Sequence, residues 1–249
     1  PYKVAENFNV LAAIAPGRVD LGVGKAPGGL PLSTRALQYG LNPQEKGSFT
    51  EQLTQLDRWI RPENQSAEED VRATPLPPVP ARGFLLGAST ESALLAASLD
   101  WHFVFAAHLN GDPELLREVV TAWRQHSVRE VIVAVQVIVA PTQAEADALA
   151  QKVEVWGVEL VNGQRVTVAS EEQAYAFARQ AGSDPVRIAR RAQSLLAGTA
   201  DSVLEQLNAL HQQWGIDEFI IDTPVADGAT RVQSLRLLAE ARFNREVTV

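Results

Sequence analysis

The sequence predicts an α/β fold of the (β/α)8, or TIM, barrel type, and three features of the 249-residue chain lead to this prediction. Short apolar segments alternate with longer amphipathic ones, an order that produces right-handed crossovers and a parallel sheet. The segment Val131–Val139 is almost entirely β-branched, as in a strand covered on both faces. Five such strands are identifiable, whereas a closed barrel has eight, and the first element is a helix. We therefore expect one barrel domain over residues 1–249 that lacks its first three strands before Pro1.

The N-terminal part combines one clear strand with a long polar excursion. Apolar residues at helical spacing predict a helix over Val4–Ile14, which leads into a strand over Arg18–Gly24. The excursion that follows, Gly28–Pro80, is rich in Pro, Gln and Glu, and we expect it to act as a lid. Within it, Ser48 and Glu51 form the pattern of a capping box and mark the start of a helix.

The rest of the chain alternates strands with helices. A second capping box, Thr142 with Glu145, marks the helix that follows the Val131–Val139 strand. The segment Gln164–Ala197 is predicted to be mostly helical. The remaining predicted strands are Phe84–Gly87, Phe103–Ala107 and Glu218–Ile221, and the remaining predicted helices are Thr90–Leu99, Pro113–Gln125, Ser202–Trp214 and Thr230–Ala241.

The composition excludes several classes of function. A formal net charge of -8 and an isoelectric point near 5.1 argue against a nucleic acid partner, because no basic stripe is present. The absence of cysteine excludes disulfides and thiolate chemistry. The longest apolar run, Val131–Ala140, is too short to span a membrane and contains Gln136, so we expect no membrane partner. No segment has the pattern of a signal peptide, and we expect a cytoplasmic protein.

The most informative strand carries two glycines on one face. Gly22 and Gly24 alternate with apolar residues and are followed directly by the cation Lys25. Glycine weakens a strand interior and occurs where the backbone bulges or where something approaches it closely. Two interpretations stay open here, a tightly packed strand crossing and a flat ligand that lies against bare backbone.

A second candidate site follows the next strand, in the small-residue turn Gly87–Ser92. Such a turn exposes amide hydrogens at a helix N-terminus, where the helix dipole also favours an anion. The hydroxyls of Ser89, Thr90 and Ser92 add further donors, so the turn is a candidate phosphate site. An ordinary N-cap is the alternative interpretation, because Ser and Thr are preferred there in any case.

Two cations favour the phosphate interpretation. Lys25 ends the glycine strand, and Arg35 follows ten residues later. A phosphomonoester is held well by two cations that meet at a helix N-terminus, although sequence spacing alone does not establish that they meet.

Other polar residues at predicted strand ends are weaker candidates. His108 closes the third predicted strand and is a candidate catalytic donor to a substrate or cofactor, or else a rim residue. Asp222 and Thr223 follow the last strand, where any barrel has polar residues. Asp20 shares the face of the glycines, and we expect it to form a structural ion pair with Arg18.

Familiar catalytic motifs are absent from the sequence. The four histidines are too scattered to suggest a metal site, and none is predicted. The chain has no Gly-x-Ser-x-Gly elbow, no Gly-x-x-x-x-Gly-Lys-Ser/Thr loop and no Gly-x-Gly-x-x-Gly at a helix start. Hydrolase, nucleoside triphosphatase and dinucleotide-binding functions therefore lose their main support.

Two segments strongly resemble bacterial luciferase-like, flavin-dependent monooxygenases. The run Gly-Arg-Val-Asp-Leu-Gly-Val-Gly-Lys-Ala-Pro-Gly at 17–28 is similar to the Gly-Arg-Ile-Asp-Leu-Gly-Leu-Gly-Arg-Ala-Pro-Gly of that family. The run Gly-Ala-Ser-Thr-Glu-Ser-Ala-Leu-Leu-Ala-Ala at 87–97 is similar to its Gly-Ser-Ser-x-x-Ser-Ala-x-Leu-Ala-Ala segment. The resemblance extends from Pro1 nearly to the last helix and is weakest over Val153–Gln193.

The resemblance implies a reduced FMN cofactor, or less favourably a deazaflavin, and oxygen-dependent oxidation of a small organic substrate. It implies that Lys25, Arg35, Ser89 and Ser92 hold the 5'-phosphate, with Lys25 in the place of the usual Arg. A homodimer and a flavin reductase as partner are implied as well. Two alternatives stay open, a flavin-binding protein without turnover and a non-flavin barrel enzyme that acts on a phosphorylated metabolite.

Overall fold

The computed structural model describes residues 1–25, 29–38, 47–61, 63, 71–108, 112–191 and 194–247. The strands in these ranges are β1 (Asp20–Gly24), β2 (Arg82–Gly87), β3 (His102–Ala106), β4 (Ile132–Val139), β5 (Trp156–Leu160), β6 (Arg165–Val168), β7 (Pro185–Arg190), β8 (Leu195–Gly198) and β9 (Glu218–Asp222). The helices are α1 (Tyr2–Ile14), α2 (Pro31–Leu37), α3 (Phe49–Ile60), α4 (Thr90–Ser98), α5 (Pro113–His126), α6 (Gln143–Ala150), α7 (Glu171–Ala181), α8 (Ala200–Trp214) and α9 (Gly228–Val247).

Contacts divide the chain into two compact units. The first comprises Pro1–Ala26, Gly40–Phe105 and Arg117–Val131, and the second comprises Pro27–Tyr39, Ala106–Leu116 and Ile132–Val249. Among the described helices, none is long and apolar enough to cross a membrane.

The first unit is built on parallel strands. β1 pairs with β2 so that Gly24 lies opposite Leu86, and β2 pairs with β3 so that Gly87 lies opposite Phe105. Parallel neighbours place their carboxyl ends at the same edge of the sheet. The indole of Trp101 fills the space beside Gly83, so that a larger residue at 83 would collide with the ring. The predicted parallel α/β arrangement is confirmed in this unit.

The helix within the predicted lid is part of this unit's core. The capping box of Ser48 and Glu51 is present at the start of α3, as predicted. Leu53 and Ile60 of α3 are buried, and the helix packs on α1. We predict a lid over Gly28–Pro80, and residues 28, 39–46, 62 and 64–70 of that range lie outside the described part of the chain.

One predicted ion pair is wrong. Asp20 accepts two hydrogen bonds from the guanidinium of Arg82, at 2.7 Å from Nε and 3.1 Å from Nη2, and does not pair with Arg18. The register of the sheet explains the difference, because Asp20 lies directly opposite Arg82 on the neighbouring strand.

The second unit contains a parallel group and a small antiparallel sheet. β4 pairs in parallel with β8 and with β9. β5 is the central strand of the antiparallel sheet, with β6 and β7 on either side. One face of this sheet packs on α7, where Val158, Leu160 and Phe177 are buried together. The expectation that Gln164–Ala197 is mostly helical is wrong, because the described residues of this range form β6, β7 and most of β8 in addition to α7.

Candidate functional site

The first unit brings two predicted site segments to one edge of its sheet. Because Gly24 lies opposite Leu86 in a parallel pair, Lys25 and the turn that begins at Gly87 follow directly at the carboxyl ends of adjacent strands. Carboxyl ends of parallel strands are where barrels bind their ligands. The glycine strand and the Gly87–Ser92 turn are therefore neighbours across one strand spacing.

The glycine face of β1 is open. A Cβ atom placed on Gly22 would meet no described atom within 4 Å, and one placed on Gly24 would meet only Leu86, at 3.5 Å from its carbonyl oxygen and 3.8 Å from its Cβ. Crowding within the described chain thus does not explain the glycines, which removes the support for the tightly packed strand crossing. The open face leaves room for a flat ligand against the backbone.

Gly87 is required by the geometry of the turn. A Cβ atom at 87 would lie 2.6 Å from Cβ and 2.7 Å from Oγ of Ser92. Cβ atoms in proteins essentially never come this close to a non-bonded atom, so any side chain at 87 would push the first turn of α4 away from β2. Glycine here lets the helix N-terminus approach the strand end closely.

The first turn of α4 is organised by its hydroxyls. Ser89 is the N-cap residue and accepts a hydrogen bond from the amide of Ser92 at 3.2 Å, and the two hydroxyl oxygens lie 3.1 Å apart. The hydroxyl of Thr90 donates to Glu118 of α5 at 3.3 Å, so this side chain already has a partner. The remaining free amides of the turn and the helix dipole favour an anion at this end.

The other predicted site residues belong to the second unit. Arg35 is exposed in the last turn of α2, a helix held to α7 by a 3.1 Å hydrogen bond from the amide of Leu32 to Gln180. His108 follows β3, and its Nδ1 atom is buried with no hydrogen-bond partner among the described residues. Its catalytic role, and a shared site for Lys25 and Arg35, stay predictions.

The structure adds a polar pair that the sequence analysis did not assign. Gln136 donates from Nε2 to Asp222 at 3.0 Å, on adjacent strands β4 and β9 of the second unit. The next residue, Thr223, has a buried hydroxyl without a partner in the described part of the chain. A glutamine within an otherwise apolar buried strand was the available signal, since a polar residue in such a position needs a partner.

Comparisons with known proteins establish the family. The family model described as luciferase-like monooxygenase matches residues 1–218. The chain belongs to the luciferase-like monooxygenase family. It is 39% identical over 246 residues to the N-acetyl-S-alkylcysteine monooxygenase of Bacillus subtilis (strain 168), an alignment that covers 96% of this chain and 73% of that protein.

Solved structures of luciferase-like proteins agree with this membership. The apo form of MsnO8 is 25% identical and has a TM-score of 0.70, with 97% of this chain and 73% of that one covered. The oxygenating constituent of 3,6-diketocamphane monooxygenase from Pseudomonas putida, solved with FMN, is 21% identical with a TM-score of 0.58, over 96% of this chain and 74% of that one. The predicted barrel-type fold class is confirmed by these neighbours.

Luciferase-like proteins are not uniform in cofactor. Besides the FMN complex, the structural neighbours include an F420-dependent secondary alcohol dehydrogenase, 15% identical with a TM-score of 0.58, over 95% of this chain and 73% of that one. Membership thus supports an oxidoreductase function for this chain.

Proposed function

We propose that this chain carries the cofactor site of an FMN-dependent monooxygenase, which uses reduced FMN and O2 to oxidise a small organic substrate. The main support is the register of β1 and β2, in which Gly24 lies opposite Leu86. This register puts a bare strand, a cation and a helix N-terminus next to one another. These are the features that a flat ring with a phosphate tail requires.

The residues present fit FMN part by part. The free amides of the α4 first turn and the hydroxyls of Ser89 and Ser92 would hold the 5'-phosphate, with Lys25 supplying positive charge. The open face at Gly22 and Gly24 would take the ring system. Lys25 offers a point charge in place of the bidentate fork of an arginine, so the charge is kept while the fixed geometry is not.

Reduced flavin would supply two electrons for the reaction of O2, so that one oxygen atom enters the substrate and the other leaves as water. The protein itself would bind and orient the cofactor and the substrate, and would exclude water from the site. In the first unit, the close packing of α4 on β2 that Gly87 permits would hold the phosphate donors in a fixed position. His108 is the candidate donor to the substrate, because its buried Nδ1 has no partner among the described residues.

The relative with 39% identity supports a candidate substrate class. That protein is an N-acetyl-S-alkylcysteine monooxygenase, so an N-acylated, S-substituted cysteine is the first substrate to test. Such a molecule combines an apolar thioether with an amide and a carboxylate. Its oxidation needs an oxygen donor and no protein nucleophile, in agreement with the absence of nucleophile motifs from the sequence.

A cofactor titration tests the proposal. We expect the unmodified protein to bind FMN more tightly than F420, and the double variant Lys25→Ala/Ser89→Ala to bind FMN at least about tenfold more weakly, because charge-assisted hydrogen bonds to phosphate are lost. The matched control is Lys152→Ala, which removes an exposed lysine of the second unit. FMN affinity that is equal in the double variant and the control would contradict this site.

Turnover tests the reaction separately. With reduced FMN supplied by a flavin reductase, we expect O2 consumption to couple to oxidation of N-acetyl-S-methylcysteine, measured by mass spectrometry of the product. FMN binding without any coupled product from this substrate or related thioethers would favour a flavin-binding protein without turnover.

A further inference from the structure

The small antiparallel sheet of the second unit has one covered face and one open face. Successive side chains of a strand point to opposite faces, and on β5 Val158 and Leu160 are buried against α7. Gly157 and Glu159 of the same strand therefore belong to the opposite face. No described element covers this face, and a cavity of about 380 Å³ lies there.

The sheet register gathers arginines on the open face. Glu159 of β5 lies opposite Arg165 on one neighbouring strand and opposite Arg187 on the other, which makes one row of three charged residues across the sheet. Gly157 forms the next row, and the side chain of Arg191 lies across it. A Cβ atom at 157 would come within 2.8 Å of Cδ of Arg191, so glycine makes the space that this side chain occupies.

Only some of these arginines are neutralised by carboxylates. Arg165 pairs with Glu159 at 2.6 Å, and Arg190 lies 3.6 Å from Glu154 at the rim. The residues that line the cavity are Gly157, Val158, Glu159, Arg165, Val166, Thr167, Arg187, Ala189, Arg190 and Arg191. Of the four arginines among them, Arg190 lies opposite Trp156, which packs on the covered face, so Arg165, Arg187 and Arg191 share the open face with the carboxylate of Glu159.

Two of the four arginines have no carboxylate partner in the described part of the chain. The side chain of Arg187 makes neither a hydrogen bond nor an ion pair with any described side chain, and the guanidinium of Arg191 donates among the described residues only to the hydroxyl of Thr167, at 3.4 Å. The face therefore carries about two uncompensated positive charges in a chain whose formal net charge is -8. Like charges held this close repel one another, and a bound anion would relieve the repulsion.

We propose that the open face of the β5–β6–β7 sheet is an anion site for a small molecule that bears a dianionic group, with Arg187 and Arg191 as its principal ligands. Guanidinium forks match the oxygen geometry of phosphate and carboxylate, and the cavity volume is that of a small-molecule site. A phosphate monoester and a dicarboxylate share this chemistry. The site involves none of the residues assigned to FMN and does not depend on the proposed function.

Calorimetric titration with inorganic phosphate at pH 8 and, separately, with succinate tests the site at constant ionic strength. We expect at least one of the two dianions to bind the unmodified protein, and the anion that binds more tightly identifies the ligand as a phosphate or a dicarboxylate. We expect Arg187→Gln/Arg191→Gln to weaken that binding at least tenfold. The control Arg236→Gln, which removes an exposed arginine of α9, should bind as the unmodified protein does.

Phosphate could also occupy the proposed FMN site, so Lys25→Ala/Ser89→Ala is titrated in parallel. Retention of binding in this variant and its loss in Arg187→Gln/Arg191→Gln supports the site on the sheet. Binding of neither anion, or equal binding in the arginine double variant and the Arg236→Gln control, overturns it. A change of oligomeric state in the arginine double variant without a change of anion affinity also overturns it, because the face would then contact a second copy of the chain.

Discussion

Three glycines near the candidate cofactor site differ in whether the surrounding structure has room for a side chain. At Gly87 a side chain would collide with Ser92, whereas Gly24 has ordinary contact distances and Gly22 has open space. The reason for glycine at 87 is thus internal to the fold. At 22 the fold itself supplies no reason, which points to something outside the described chain.

This difference predicts that Gly22→Ala separates folding from cofactor binding. The new methyl group meets nothing in the described structure, and alanine restricts the unfolded chain, so the free energy of unfolding should stay equal or rise by up to about 1 kcal/mol. If the FMN ring lies on this face, its affinity should fall. The measurements are urea unfolding without cofactor and FMN titration, and unchanged FMN affinity would contradict a ring at Gly22.

His102 predicts a pH dependence of stability. Its ring stacks on Phe84 at 4.4 Å and lies 3.4 Å from Arg129, and its Nδ1 atom is buried without a partner among the described residues. Burial holds the pKa of His102 below its ordinary value of 6.5, and the positive charges of Arg129 and Arg82 lower the pKa further. The folded state therefore favours the neutral ring.

The sign follows from the lowered pKa. Below pH 6.5 the unfolded chain binds a proton at His102 that the folded chain resists, so stability falls as the pH decreases toward the pKa of the folded state. Above pH 6.5 the contribution of His102 to the free energy of unfolding is constant. We expect His102→Gln to reduce the slope of the unfolding free energy against pH just below pH 6.5, compared with the unmodified protein. An equal slope in His102→Gln and in the unmodified protein would contradict the assignment.

At the scale of elements, α3 shows how a helix inside a polar excursion is fixed. Its buried Asp57 accepts hydrogen bonds from the indole of Trp101 at 2.6 Å and from Nε of Arg61 at 2.7 Å. Arg61 in turn donates to the carbonyl oxygen of Leu99 at 2.9 Å, at the end of α4. The helix is thereby tied to the connection between α4 and β3. A lid function within Gly28–Pro80 would then belong to segments other than α3.

We predict that Asp57→Ala destabilises the first unit by about 2–4 kcal/mol, because it leaves the buried indole N–H of Trp101 without an acceptor and removes the ion-pair partner of the half-buried Arg61. Asp57→Asn keeps an oxygen acceptor and should lose less. Urea unfolding monitored by tryptophan fluorescence measures both variants, since Trp101 is itself a partner. A loss below about 0.5 kcal/mol in the alanine variant would mean that these hydrogen bonds do not hold the helix.

The elements that were predicted correctly are those with local signals. The capping boxes at Ser48 and Thr142 lie within four residues each, and both are present. The antiparallel sheet escaped prediction because β6 has only four residues and alternates exposed Arg165 and Thr167 with half-buried valines. So short a strand is stabilised by its pairing with β5 and by packing against α7, and the propensities of its own four residues do not predict it.

At the scale of the whole molecule, the order of strands and helices predicted the fold class, because parallel strands need crossovers and sequence order alone identifies them. Predicting the candidate site requires, in addition, knowledge of which strands pair and in which register. Its neighbouring segments are joined by the pairing of Gly24 with Leu86, residues more than sixty positions apart, and no local pattern encodes that register. The same limit applies to Asp20, whose partner Arg82 lies on the adjacent strand.

We therefore expect FMN to bind to the first unit and the dianion to bind to the second unit. Binding to the folded state alone stabilises it by about 2.7 kcal/mol at a hundredfold excess over the dissociation constant. With FMN, hydrogen exchange measured by mass spectrometry should slow mainly at Gly22–Lys25 and Gly87–Ser92 of the first unit. With the dianion that binds, it should slow at β5, β6 and β7 of the second unit, and only this effect should disappear in Arg187→Gln/Arg191→Gln. If FMN protected the antiparallel sheet and left the Gly87–Ser92 turn unchanged, the assignment of the cofactor to the glycine strand and the α4 N-terminus would be wrong.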